Sequence, residues 1–171
     1  MDATQLRAMQ KPLKSRYAED PGAANVPLKA VARLEGDGIV CQVDTWAGTT
    51  RAGLHTSTGG DGSDACSGDM LLEAIAGCAG VTLRSVATAM RVELREARVE
   101  VEGHFDARGT LGLSKEIPVG LTDVTMTFVV DTDADDKTVE RLCELAERYC
   151  VVAQTLRTPP EVTVAHRRET P

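Results

Sequence analysis

Apolar and polar residues alternate with two different periods along this chain, and the places where the period changes mark out its elements. Residues 29–35 and 39–46 alternate singly on either side of Gly36-Asp37-Gly38, the pattern of a β-hairpin. A third strand is expected over residues 50–56, after the Ala47-Gly48 turn. Residues 67–90 then take a helical period. Leu71, Leu72, Ile75, Ala79, Thr82, Leu83, Val86 and Met90 share one sector of a helical wheel, opposite Glu73, Arg84 and Arg91. Cys78 falls in the apolar sector, and Ala74, Ala76, Gly77, Ala79 and Gly80 crowd around it. Interior glycine costs a helix about 1 kcal/mol relative to alanine, so this run of small residues implies close packing by another element.

Single alternation returns over residues 94–106, with Ala97, Val99, Val101 and Gly103 on one side. It returns again over 119–132, with Val124, Met126, Phe128 and Val130 on one side, and residues 107–117 read as a loop between. Carboxylates over 131–136 offer a cap and a favourable first turn to a second helix over 135–149. There Val139, Leu142, Cys143, Ala146 and Tyr149 keep helical spacing, and Cys143 and Cys150 share a face. A further helical turn over 151–156 is stopped by Thr158-Pro159-Pro160, and residues 161–167 read as a last strand. This order predicts an α+β domain whose helices lie against one side of a largely antiparallel sheet. Residues 1–27 are polar and broken by Pro12, Pro21 and Pro27. They read as an N-terminal extension with a short helix over 3–8, leaving 28–171 as the domain.

Composition narrows the function. The 171 residues suffice for one substantial core. With two Phe, two Tyr and one Trp, that core is aliphatic and base-stacking platforms are not expected. A formal net charge of −7 gives no general attraction to nucleic acid or to an anionic membrane. No uninterrupted apolar run reaches the roughly 18 residues of a membrane span, and the polar start lacks a signal-peptide core, so a cytoplasmic protein is expected. The Gly- and Ser-rich residues 57–68 form an exposed connector into the long helix, the kind of loop that lines sites.

Five cysteines, at 41, 66, 78, 143 and 150, form no CxxC pair, and His55, His104 and His166 are scattered. Neither a disulfide framework nor a zinc site is expected, and no bound cofactor. Cysteine is among the most buried residue types, which is the reading for Cys41 and Cys143. His55 and His104 read as strand residues. The exposed loop leaves Cys66 open as an incidental thiol, a third redox partner or an oxidation-prone site.

Two stretches carry a resemblance. Met70-Leu71-Leu72-Glu73-Ala74-Ile75-Ala76-Gly77-Cys78, followed by Val81-Thr82-Leu83, resembles the central-helix motif of the OsmC/Ohr family of organic hydroperoxide reductases. The second family cysteine resembles Cys150, in Tyr149-Cys150-Val151-Val152-Ala153-Gln154-Thr155-Leu156. The resemblance covers about residues 28–168 and implies an OsmC-like fold: two largely antiparallel sheets wrapped around long central helices in an intertwined homodimer. It also implies a thiol-dependent peroxidase acting on organic hydroperoxides. On that template Cys78 is the peroxidatic thiolate and becomes a sulfenic acid, Cys150 condenses with it, and an external dithiol, such as a lipoyl group on a partner protein, reduces the disulfide.

A thiol among apolar residues has a raised pKa, so a reactive Cys78 calls for a nearby positive charge, and arginine stays protonated throughout. Arg51 on the third strand resembles the arginine of the OsmC branch; Arg33 in the first hairpin is the alternative nearest the Ohr position. The Asn-Pro-Glu that usually opens the family helix is Cys66-Ser67-Gly68 here, which leaves Asp69 as the carboxylate to orient an arginine. The missing glutamate keeps a second reading open, a catalytically weak OsmC-like dimer that binds a small apolar ligand at the subunit interface.

Overall fold

The computed structural model describes residues 1–45 and 47–169. Trp46, expected to close the second strand, lies outside the described residues, as do Thr170 and Pro171. Helix α2, Ser67–Met90, runs through the middle of the molecule as its pattern predicts. It buries Ile75, Ala79, Leu83 and Ala87 and ends at Arg91, whose φ of 61° places it in the left-handed region. By length and composition alone α2 is long and apolar enough to cross a membrane. The expectation that no apolar run is long enough for a span is corrected here, because the alanines and glycines of α2 add to its apolar length. Here the apolar face of α2 packs in the core.

The hairpin forms in the expected place. Strands β1 (Val31–Leu34), β2 (Val40–Thr45) and β3 (Gly48–Gly53) are antiparallel neighbours, with Leu34 opposite Cys41 and Gln42 opposite Arg51. The third strand ends earlier than residue 56, and Thr56–Thr58 make a 3-10 turn instead. The connector then returns to lay the two-residue β4, Ala65–Cys66, parallel to β3. A second sheet pairs β5 (Glu96–Phe105) with β6 (Leu121–Asp131) in antiparallel register, Val99 opposite Phe128 and Val101 opposite Met126. The single turn α3, Ala107–Thr110, starts the connection between them. Among the described residues two sheets and five α-helices make an α+β fold, in place of helices on one side of a single sheet.

Helix α4, Asp136–Arg148, begins as its carboxylates predict, with the Asp135 side chain accepting a hydrogen bond from the Thr138 N–H. Leu142 and Ala146 of α4 meet Leu83, Ala87 and Leu94, with Phe128 and Val130 packed against them, and this is the core. The second helical period does not continue through Cys150. Tyr149 caps α4, and α5, Val151–Arg157, starts a new helix, so Cys143 and Cys150 part company.

Both ends of the chain correct the sequence reading. Residues 3–8 are only the beginning of α1, Ala3–Glu19, which runs through Pro12. A capping box closes its start: the Asp2 carboxylate accepts from the N–H of Thr4 and Gln5, and the Gln5 side chain accepts from the Asp2 N–H. Good helix formers around Pro12 and packing against α2 offset the missing hydrogen bond. At the other end, residues 161–167 join no ladder, and Val162 and Val164 are exposed. A strand needs a partner edge, and among the described residues these pair with none.

Candidate active site

Cys78 lies at mid-helix in α2, between the buried face and an exposed stripe of Ala74, Gly77 and Val81. Cys150 comes to it from the break between α4 and α5, where it is the N-cap residue of α5 and fully buried. Its Sγ accepts a hydrogen bond from the Ala153 N–H at 3.5 Å, a capping duty usually given to an oxygen side chain. The two thiols are near enough to influence each other's proton, and both are free. The hydroxyl of Thr82, one turn after Cys78, donates to the Cys78 carbonyl at 2.8 Å and lies against the sulfur.

The surroundings divide the pair. Burial is the largest single influence on Cys78 and pushes its thiol up. Together, the N–H groups of Val152 and Val151 and the side chains of Cys150 and Thr82 outweigh it, and the thiol falls below its ordinary value. Burial also pushes up Cys150, and the hydrogen bond to Cys78 adds to the rise; the N–H groups of Ala153 and Val152 only partly oppose it. Two neighbouring thiols are thereby made unlike: one gives up its proton more readily, and the other keeps it to donate to its neighbour's sulfur.

No arginine is among the groups that act most on Cys78. Arg51 is half-exposed on β3, its Nε 2.8 Å from Asp64 Oδ1 and 3.7 Å from Glu35 Oε2. Among the described residues, then, the carboxylates paired with Arg51 are Asp64 and Glu35, whereas Asp69 sits exposed in the first turn of α2. The pairing depends on Gly53, because a Cβ there would stand 2.9 Å from the Cβ of Asp64. Arg33 pairs with Asp44 across β1 and β2. Sequence reasoning missed the amides of Val151 and Val152, which any residue type supplies, and Asp64, which is hidden in a polar loop. Thr82 carried a signal, since a hydroxyl four residues after a helical cysteine shares its face.

The remaining candidates lie elsewhere. Cys66 is half-buried at the start of α2. His104 is on β5 as expected and pairs with Asp123 at 2.8 Å, whereas His55 caps the 3-10 turn and meets the Phe105 ring edge-on. Cys143 lines a groove of about 980 Å³ between α2, β6, α4 and α5. The floor of that groove is apolar, with Leu71, Ile75, Met126 and Phe128, and neither Cys78 nor Cys150 lines it. Asp123, Glu140, Glu144 and Glu147 against Arg157 give its lining a net charge of −3. Among the described residues no group of His, Cys, Asp and Glu side chains is arranged to hold a metal ion.

A long core helix, two small sheets and two free cysteines brought together from that helix and the start of a short one define an α+β protein with a candidate thiol site. A family model described as OsmC-like protein matches residues 60–165, and the chain belongs to that family, the OsmC/Ohr family, with its general redox role. The fold is similar to an OsmC-like protein from Mycoplasma pneumoniae, with a TM-score of 0.65 at 13% identity over 79% of this chain and 90% of that one. It is similar to an organic hydroperoxide resistance protein from Elizabethkingia anophelis, crystallised with thiocyanate, with a TM-score of 0.63 at 14% identity over 79% and 92%. An organic hydroperoxide resistance protein OsmC from Legionella pneumophila gives 0.60 at 18% identity over 78% and 93%. No curated protein matches by sequence.

Proposed function

We propose that Cys78 and Cys150 form the redox pair of a thiol peroxidase that reduces organic hydroperoxides, and that the protein works as a homodimer in the cytoplasm. One observation carries the reading: a half-buried Cys78 lies near enough to the buried Cys150 for each thiol to influence the other's proton, and the two are moved in opposite directions. The Cys78 thiolate attacks the distal oxygen of ROOH. The O–O bond breaks, RO⁻ leaves and takes a proton to become the alcohol, and Cys78 is left as a sulfenic acid. The sulfur of Cys150 then attacks Cys78, its proton leaving with the hydroxyl as water, and a Cys78–Cys150 disulfide forms. An external dithiol, of lipoyl type, exchanges with that disulfide and returns both thiols. The apolar surroundings of Cys78 favour an alkyl peroxide over the strongly hydrated hydrogen peroxide.

The dimer is supported by what this chain leaves uncovered. Leu28, Leu34, Ile39, Val81, Val151, Val162 and Val164 are all exposed, residues 161–167 lack a strand to pair with, and Gly77 faces open space. We assign Arg51, oriented by Asp64 where Asp69 had been expected, as the cation brought across the dimer interface to the peroxide.

The test is consumption of tert-butyl hydroperoxide by the purified protein with dihydrolipoamide as reductant. Turnover is expected to vanish in Cys78→Ser, and the oxidised wild type is expected to yield a Cys78–Cys150 linked peptide in mass spectrometry. Full turnover by Cys78→Ser would overturn the assignment and leave the ligand-binding reading in its place.

A further inference from the structure

The thiol site leaves the charge of α1 unexplained. Within Ala3–Glu19, Arg7, Lys11, Lys14 and Arg16 stand against the single carboxylate of Glu19, a net charge of +3 in a chain whose total is −7. Among the described residues none of these four cations has a carboxylate within ion-pairing distance. The helix is also only half covered. Ala3, Leu6, Met9, Leu13 and Tyr17 form one apolar stripe by their spacing. Helix α1 packs on α2, with Ala3 buried and Leu6 and Tyr17 half-buried, but Met9 and Leu13 remain 60% and 47% exposed.

The groove beside α4 has the complementary character: apolar Leu71, Ile75, Met126 and Phe128 lie with four carboxylates, of which Asp123, Glu144 and Glu147 are paired with His104, Arg141 and Arg157, and Glu140 has no ion-pair partner among the described residues. It opens along the first half of α2, at Leu71 and Ile75, and no residue of α1 from the same chain lines it. The start of α1 lies instead by the far end of α2, where Asp2 feels the charge of Arg91. At 1.5 Å per residue that end is about 30 Å from Leu71. Were two copies to pair antiparallel through the exposed Ala74, Gly77 and Val81 of α2, a two-fold axis near the middle of that stripe would place the Arg91 end of one helix beside the first turns of the other. The basic helix of one copy then arrives at the acidic groove of its partner.

We propose that α1 is a dimer clasp: Met9 and Leu13 of one copy enter the groove floored by Leu71, Ile75 and Phe128 of the other, with Arg16 meeting Glu140 or Glu144 at its rim. This rests on the homodimer of the preceding subsection, though not on the peroxidase chemistry. It gives a role to a segment that lies outside the matched family region.

The experiment uses the full chain with Cys143 as its sole native cysteine and with Met9→Cys, Leu13→Cys or Arg16→Cys added singly. A short bis-maleimide is expected to give a covalent dimer through Cys143 for at least one of the three, and none once Cys143→Ser is included. In parallel, sedimentation of native protein is expected to show a dimer whose dissociation constant rises about tenfold or more in Arg16→Glu, as for loss of charge pairs at an interface. Adding Glu140→Lys and Glu144→Lys to that chain is expected to recover it. A monomer in every variant and in the native protein would overturn the dimer itself. A native dimer with no cross-link and an unchanged dissociation constant would overturn the clasp alone, and binding of α1 to anionic vesicles would then reassign the basic helix to a membrane surface.

Discussion

At the scale of single residues, Cys78 depends on small donors that no sequence pattern advertises. Any residue at 151 and 152 brings an N–H, so motif comparison found the two sulfurs and passed over what tunes one of them. The consequence is measurable through alkylation by iodoacetamide as a function of pH. Because the thiolate is the reacting form, the inflection of Cys78 is expected below that of Cys143, whose thiol burial pushes up. Thr82→Val removes a hydroxyl that lowers the Cys78 thiol and is expected to move the Cys78 inflection upward, leaving Cys143 where it was. A separate pair, His104 and Asp123, gives a second pH prediction. Their hydrogen bond, followed by their charge attraction, raises the His104 pKa above 6.5, so the stabilisation is complete below the unfolded value and is lost as pH rises through the folded one. Asp123→Asn is expected to lower the imidazole titration midpoint seen by NMR.

At the scale of elements, local chemistry was readable where the chain carries its own punctuation. Asp135 marks the start of α4, and Asp135→Ala is expected to cost about 1 kcal/mol in thermal or denaturant unfolding. Truncation of Leu142 to alanine in the core is expected to cost about 2–5 kcal/mol by the same measurement. The sequence was opaque where an element's fate depends on something distant. Pro12 made α1 look interrupted, yet a well-capped start and packing against α2 carry the helix past it. The alternation of residues 161–167 is that of a strand, but alternation describes two faces and says nothing of an edge to pair with. The Arg51 support shows the same limit, since only the return of the connector to β3 reveals Asp64 as the nearest carboxylate.

At the scale of the whole molecule, the chain has one well-filled core and a four-stranded sheet with little packed against it. Such an arrangement is expected to be stable only as an assembly, so the melting temperature should rise with protein concentration. A chain shortened after Thr158, lacking residues 159–171, is expected to melt at a lower temperature at equal concentration. The long helix, the hairpin and the cysteine motifs were legible because each is a local pattern; the joining of distant thiols and the uncovered surfaces belong to the fold as a whole. One detail of that fold links chemistry to mechanics. The sulfur of Cys150 holds the first turn of α5 through the Ala153 amide. In the proposed disulfide that sulfur would be a poorer acceptor, and the turn would lose its anchor on oxidation. Hydrogen exchange at Ala153 is therefore expected to quicken with peroxide and slow again with dithiol. The helix that leads to the unpaired tail would then act as a gauge of the redox state of the site.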